Sequence, residues 1–261
     1  YHIHQELPRS NAGTDTMHSA YLGPSYNDKD IIRTINKYGA TAAHIEDTAL
    51  LTTTVTKDIA DGKVVGWFQG RMEFGPRALG HRSILADARN PDMQKRLNIK
   101  IKQREGFRPF APIMLQEEAE RLFGVKQPSP YMLFVHPLNE AYRKALPDGY
   151  HNLPLMDKLY VQRSTLPAVT HIDYSARVQT VSANDNPLMH QLLTDFKRMT
   201  DYGVLINTSF NVRGEPIVCT PDDAFHCFMT TDMDVLVMGN FILYKEEQAG
   251  VTVNKRSYDK D

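Results

Sequence analysis

Apolar positions along this chain follow two periods, and segments of each kind alternate from one end to the other. In "NDKDIIRTINKYG", Ile31, Ile32 and Ile35 fall on one helical face and Gly39 supplies a left-handed stop. "EDTALLTTTVTKDIADGK" predicts a second helix, ended by Gly62. The uninterrupted apolar run "VVGWFQG" predicts a buried strand. "NPDMQKRLNIKIK" predicts a helix with Asn90 as N-cap, Pro91 at the first helical position and Asp92 in the first turn. Its Met93, Leu97 and Ile101 recur every fourth residue and face the core. "FAPIMLQ" and "YMLFVHPL" predict strands, with "EEAERLF" as a helix between them. "VTHID", "RVQTVS", "YGVLINTSF", "DVLVMG" and "FILYKEE" predict further strands. Two more helices are predicted, one starting at Pro187 and one over "TPDDAFHCFMT", where Thr220 precedes Pro221.

Strands and helices interspersed in this way argue for an α/β or mixed α+β fold, a sheet with helices packed on its faces. Residues 1–26, broken by Pro8, Gly13, Gly23 and Pro24, read as a linker or the remnant of a preceding domain. Residues 27–247 form the main domain. Within it, residues 139–168 are polar and proline-containing, as in a long surface insertion. Residues 248–261, ending in "NKRSYDKD", read as a flexible tail.

Composition narrows the class. The chain has 261 residues, 41% hydrophobic and 23% charged, which is ordinary globular usage. A net charge of −1 speaks against a general polyanion binder, so nucleic acid is not an expected partner. Cys219 and Cys227 form no disulfide framework, no CxxC pair and no zinc spacing; they read as two buried thiols in a reducing, cytoplasmic setting. No apolar run approaches the ~18 residues of a membrane span, and the start lacks the pattern of a signal peptide. With no initiator Met, the chain reads as a piece of a longer one.

The charge is balanced overall but not along the chain. Residues 63–108 hold eleven Lys/Arg against four Asp/Glu, a local excess that suggests a discrete anionic ligand. Lys95, Arg96 and Lys100 fall on the outer face of the predicted helix and are read as solvated surface. Arg77 sits in "GPRALG", between a Gly-Pro turn and Gly80; it either grips phosphate or carboxylate, or ties down its own loop through carbonyls. Lys102, Arg104 and Arg108 crowd into "KQREGFRP", where an anion or acidic partners must offset their repulsion. In "INTSFNVRGEP", Asn207, Ser209 and Asn211 alternate and share a face, either as ligand donors or as a side-chain-capped turn before Gly214. Arg177 enters a strand in "DYSARVQ". There is no phosphate-binding P-loop and no dinucleotide fingerprint.

Taken in order, "GRMEFGPRALGHRSILAD", "REGFRPFAP", "ARVQTV" and "NTSFNVRGEPIV" resemble the C-terminal half of the carbamoyltransferases of the nodulation-protein-U and cephalosporin/tobramycin O-carbamoyltransferase family. "AYLGPSY" resembles the join between that family's two domains. The resemblance implies a YrdC-like fold with a twisted, mostly mixed sheet, binding carbamoyl phosphate and ATP with Mg²⁺ and forming carbamoyl adenylate and pyrophosphate. A preceding actin-like domain, which carries the family's metal site, would pass the carbamoyl group to a hydroxyl of a small-molecule acceptor. His2 and His4 are not that site, and no metal ligand is expected here. By the same resemblance Arg77, Lys102 and Arg108 are the catalytic cations. Lys102, Arg108, Arg177, Asn207, Ser209 and Asn211 hold the nucleotide and carbamoyl phosphate. The chain has "DYSAR" where "DGTAR" is expected, so Arg177 is retained while the wall near Tyr174 departs from the family. Two other readings are a YrdC-type synthase of threonylcarbamoyl adenylate for tRNA and a nucleotide or RNA sensor without turnover; "GPRALG" and "AYLGPSY" speak against the synthase.

Overall fold

The computed structural model describes residues 17–253; His2, His4 and the charged end lie outside the described residues. Helix α1 (Asp28–Tyr38) is bounded as its sequence requires. Asn27 and Asp30 form a reciprocal capping box, and Gly39 closes the helix at φ 61°. Strand β1 (Ala43–His44) and helix α2 (Thr48–Ala60, capped by Asp47) follow, then β2 (Val65–Phe68) and β3 (Arg82–Asp87). Helix α3 (Met93–Arg96) runs into a π-helical turn, Leu97–Ile101. Next come β4 (Ala111–Leu115), α4 (Gln116–Phe123), β5 (Val135–Pro137), α5 (Leu155–Tyr160), β6 (Ser175–Arg177) and β7 (Gln179–Val181). Helix α6 (Pro187–Thr200), β8 (Val204–Ser209), α7 (Pro221–Met229), β9 (Val235–Met238) and β10 (Phe241–Tyr244) complete the order.

Eight strands form one mixed sheet in the order β1-β10-β9-β2-β3-β8-β4-β7, and β5 and β6 pair separately. Strand alternation sends side chains to two cores. Val65, Trp67, Leu85 and Leu205 face α2 and α6, while Phe68, Ile84, Ala86 and Ile206 face α1, α4 and α7. The fold is thus the mixed α/β sheet with helices on both faces that the sequence implies. Among the described residues no helix is long and apolar enough to cross a membrane.

Several local expectations change. Ile32 is exposed, and Thr34 rather than Ile32 shares the buried face of α1 with Ile31. Asn90 does not cap a helix; its Oδ1 accepts the Asp92 N–H in a local turn, and α3 starts three residues later. Met93, Leu97 and Ile101 are nonetheless all buried. "VTHID" is a turn, because Asp173 Oδ1 accepts both the N–H and the hydroxyl of Ser175 and Tyr174 takes φ 64°. "RVQTVS" splits between two sheets at Val178. "YMLFVHPL" contributes only the three residues of β5. Residues 139–168 are more than surface: they carry α5 and bury Tyr150, Leu166 and Ala168. Strand β3, central to the sheet, was not anticipated; its sequence reads as the end of the cationic motif.

This topology creates one site. β8 runs antiparallel between β3 and β4, with Ser83 opposite Ser209 and Ala111 opposite Asn207. Antiparallel neighbours bring the starts of β3 and β4 to the end of β8. The loops entering those two strands are the two cationic motifs.

Candidate functional site

At that end of the sheet lies a cavity of about 170 Å³, walled by Arg77, Arg104, Arg177, Asn207, Thr208 and Ser209, with Pro109 and Met132 beside them. Three guanidinium groups thus come from three separate segments.

The first segment is held by its other charged residues. Arg71 donates from Nε to Gly23 O (3.0 Å) and from Nη2 to Leu22 O (2.5 Å). Arg82 is fully buried, stacks on Phe68 at 3.7 Å, and donates to the carbonyls of Gln69, His81, Gly70 and Pro24. Burial lowers the pKa of Arg82 to about 10, opposed mainly by the charge of Glu73. Glu73 is itself buried, and its Oε1 accepts three backbone N–H groups, from Leu79 (2.6 Å), His81 (2.8 Å) and Arg82 (3.3 Å). Residues 17–26 add to this frame: Gly23 N–H donates to Met72 O, and Tyr21 donates to Leu79 O and stacks on His81 at 3.7 Å. The loop-tying role considered for Arg77 therefore belongs to Arg71 and Arg82. Arg77 is exposed and turned to the cavity.

In the second segment, Lys102 is 4% exposed and does not line the cavity. Its Nζ donates to Ser209 O, Ser209 Oγ (3.2 Å), Asn211 O (2.9 Å) and Asn211 Oδ1 (2.9 Å). Burial pulls its pKa down to about 7. Four oxygens around one nitrogen need donors, so the ammonium form is the one this cage fits. Arg104, in contrast, lines the cavity. Its Nε donates to Asn98 Oδ1 at 2.7 Å, while the Asn98 amide donates to Gly106 O and Arg108 O. The π-helical turn thus carries a buried Asn98 that fixes the loop. Burial, and then the neighbouring Arg108, depress the Arg104 pKa. Arg108 does not line the cavity; its side chain is 52% exposed and pairs with Glu105 at 3.2 Å.

The third and fourth pieces converge from β6 and β8. Arg177 is half-buried; burial, and then the charge of Arg77, lower its pKa, and its Nε is buried without a partner among the described residues. Asn207 is 2% exposed, and its Nδ2 donates to Ala78 O (2.9 Å) and Gln179 Oε1 (2.7 Å). Gln179 Nε2 donates to Leu79 O at 2.7 Å, so backbone carbonyls fix both amide orientations. This leaves Asn207 Oδ1 a buried acceptor without a partner, among the described residues. Ser209 lines the cavity and donates from Oγ to Asn211 Oδ1 (2.6 Å). Asn211 lies off the wall and closes the following turn through Nδ2 to Glu215 O. Met132 on the cavity wall takes φ 53°, and Gln103, next to the wall residue Arg104 in the chain, takes φ 50°, the kind of strain that collects at binding sites.

The structure therefore gathers Arg77, Arg177, Asn207 and Ser209, sets Lys102 and Asn211 one layer behind, and leaves Arg108 outside. Sequence reasoning grouped Arg104 with its neighbours but did not single it out, although the same charge argument covers it. Met132, Thr208, Gln179, Asn98 and Glu73 carried no sequence signal.

Three guanidinium groups, with buried polar atoms that have no partner among the described residues, give this cavity the chemistry to hold an anion. The sequence relationships are specific. Residues 56–245 match the family described as Carbamoyltransferase C-terminus, and the chain belongs to that family. It is 51% identical over 251 residues to the uncharacterized protein sll1178 of Synechocystis, covering 95% of this chain and 40% of that protein. It is 39% identical over 244 residues to nodulation protein NolNO of Sinorhizobium fredii, covering 92% and 33%. To the 3'-hydroxymethylcephem-O-carbamoyltransferase of Amycolatopsis lactamdurans it is 42% identical over 160 residues, covering 61% and 26%. The chain thus spans less than half the length of each. Among solved structures, full-length HypF in a phosphate- and nucleotide-bound form aligns over 76% of this chain and 22% of that one, with a TM-score of 0.45 and 18% identity.

Proposed function

We propose that this domain binds carbamoyl phosphate and ATP and makes carbamoyl adenylate for O-carbamoylation. The observation that carries the reading is a cavity walled by three guanidinium groups, two of whose wall residues keep a buried polar atom without a partner among the described residues: the Arg177 Nε donor and the Asn207 Oδ1 acceptor. A fully ionised phosphate group offers only acceptors. Carbamoyl phosphate offers anionic oxygens and an amide N–H₂, so it answers both atoms at once.

In this reaction, water releases inorganic phosphate from carbamoyl phosphate. A carbamate oxygen then bonds to the α-phosphorus of ATP as the bond to pyrophosphate breaks. Arg77, Arg104 and Arg177 would stabilise the charge gathering on the phosphoryl oxygens. Asn207 Oδ1 would hold the carbamate N–H₂ and turn its oxygen toward phosphorus. Lys102 would act from behind, fixing the end of β8. Among the described residues no cluster of three or more His, Cys, Asp or Glu could hold a metal, and the named wall residues include no carboxylate. The donor set therefore suits magnesium carried on the nucleotide phosphates, where it would neutralise charge. Transfer to an acceptor hydroxyl would fall to the part of the relatives that this chain does not span.

The test supplies carbamoyl phosphate, ATP and Mg²⁺ to the chain and to one of the longer relatives that it matches and follows pyrophosphate. Carbamoyl-dependent release is expected, with acetyl phosphate, which has a methyl in place of the N–H₂, a much poorer substrate. Absence of carbamoyl-dependent pyrophosphate from both proteins would overturn the reading.

A further inference from the structure

Of the three guanidinium groups on the cavity wall, one is tied to a polar side chain in the core. Asn98 is fully buried on the π-helical turn Leu97–Ile101, where the Lys102 N–H reaches back to Leu97 O. A buried primary amide must find partners for two N–H donors and a carbonyl oxygen. Those of Asn98 all lie in the loop that enters β4. Its Nδ2 donates to Gly106 O (3.2 Å) and Arg108 O (2.8 Å), and its Oδ1 accepts from Arg104 Nε (2.7 Å). The Asn98 main-chain carbonyl also accepts the Arg104 N–H at 3.0 Å. One core residue thereby holds both the backbone and the guanidinium group of Arg104.

No other cation of the two loops or the wall is held in this way. Arg71 and Arg82 commit their guanidinium N–H groups to carbonyls. Arg77 is exposed, and Arg177 makes a long contact, Nη2 to Met132 Sδ at 3.7 Å. Glu105, beside Arg104 in the chain, pairs instead with Arg108 (3.2 Å) and Arg213 (3.6 Å). Arg104 gives up Nε alone, to a neutral oxygen, and its guanidinium carbon lies 5.1 Å from the centre of the Phe110 ring. Its two Nη groups have no partner among the described residues. The Nε bond and the ring contact orient the group, while its charge and its Nη fork stay available to an anion. An arginine restrained beforehand loses little further freedom when a ligand arrives.

We infer that Asn98 is a positioning residue of the anion site: it aims the Nη edge of Arg104 into the cavity, and Arg104 grips a phosphoryl group end-on through that edge. This rests on the ATP and carbamoyl phosphate reading and adds to it the residue that sets one of its cations.

The test is a double-mutant cycle. Affinity for ATP with Mg²⁺ is measured by calorimetric titration for the wild type, Asn98→Ala, Arg104→Ala and the double variant. Asn98→Ala is expected to weaken ATP roughly tenfold in the wild-type background. It is expected to change nothing where Arg104 is already alanine, because its effect passes through that guanidinium. An Asn98 that only supports the fold would weaken both backgrounds equally, and that result overturns the inference. Because Asn98 lies in the core, Arg104→Lys supplies a change outside it, keeping the charge and removing the Nε donor. Roughly tenfold weaker ATP binding is expected here too. Wild-type affinity in Arg104→Lys would show that charge alone suffices and overturn the inference, whether or not Asn98→Ala folds. If Arg104→Ala binds ATP as tightly as the wild type, this assignment falls while the ATP reading stands on Arg77 and Arg177. Wild-type protein that binds neither ATP nor carbamoyl phosphate overturns that reading, and the assignment with it.

Discussion

The loop entering β3 and the loop entering β4 each carry three cations, and each sends one into the cavity. In the first, Arg71 and Arg82 saturate backbone carbonyls and Arg77 is presented. In the second, Lys102 is caged by β8 and the following turn, Arg108 pairs with Glu105, and Arg104 is presented. The difference lies in how the frame is braced. The first loop leans on a buried carboxylate, Glu73, which offsets the charge of Arg82. In the second, the partners of Lys102 Nζ among the described residues are all neutral oxygens. Local positive charge therefore has two origins, a scaffold and a ligand grip, and only accessibility separates them.

Lys102→Ala tests the division most severely. It removes a buried donor shared by four oxygens at the end of β8. Of these, Asn211 O and Ser209 Oγ lose theirs without a replacement, while Ser209 O and Asn211 Oδ1 keep one. The change is expected to cost ~3 kcal/mol of stability in denaturant unfolding, together with loss of anion binding. A variant as stable as the wild type would show that the cage is not a brace. Arg177→Ala comes next, with about 2 kcal/mol lost in carbamoyl phosphate or ATP binding and little change in unfolding. Equal losses in stability and binding would move Arg177 from grip to scaffold. Glu73→Ala should cost about 1–2 kcal/mol of stability and weaken binding through the displaced Arg77. Glu73→Gln keeps an acceptor and should restore most of the stability. Arg108→Ala has the smallest expected effect, about 0–1 kcal/mol on stability, with binding weakened less than in Arg104→Ala. Calorimetric titration of the two variants side by side checks the order, and a reversal would place Arg108 on the ligand.

Much of this frame was legible because its signals are local. Asn27, Gly39 and Thr220 mark helix ends through backbone chemistry that needs no tertiary partner. Strand β3 was not, because six consecutive buried positions beginning with an arginine show neither alternation nor a purely apolar run. The π-helical turn at Leu97–Ile101 keeps the helical spacing of apolar residues, so periodicity could not reveal the inserted geometry that seats Asn98. At the site, the sequence located the cations but not their division of labour. Whether a guanidinium meets a carbonyl or a cavity depends on distant segments: Gly23 and Pro24 for Arg71 and Arg82, Ser209 and Asn211 for Lys102.

Gln103 sits between Lys102 and Arg104 at φ 50°, and this twist reverses the usual relation between residues two apart. One long side chain dives into the interior while the other emerges at the mouth of the binding space. A β-branched residue at this position would force the backbone toward an extended path and turn both cations the same way. Glycine or asparagine would keep the divergence. Drift at a position off the cavity wall is therefore confined to a few residue types, and the restriction is conformational, not chemical.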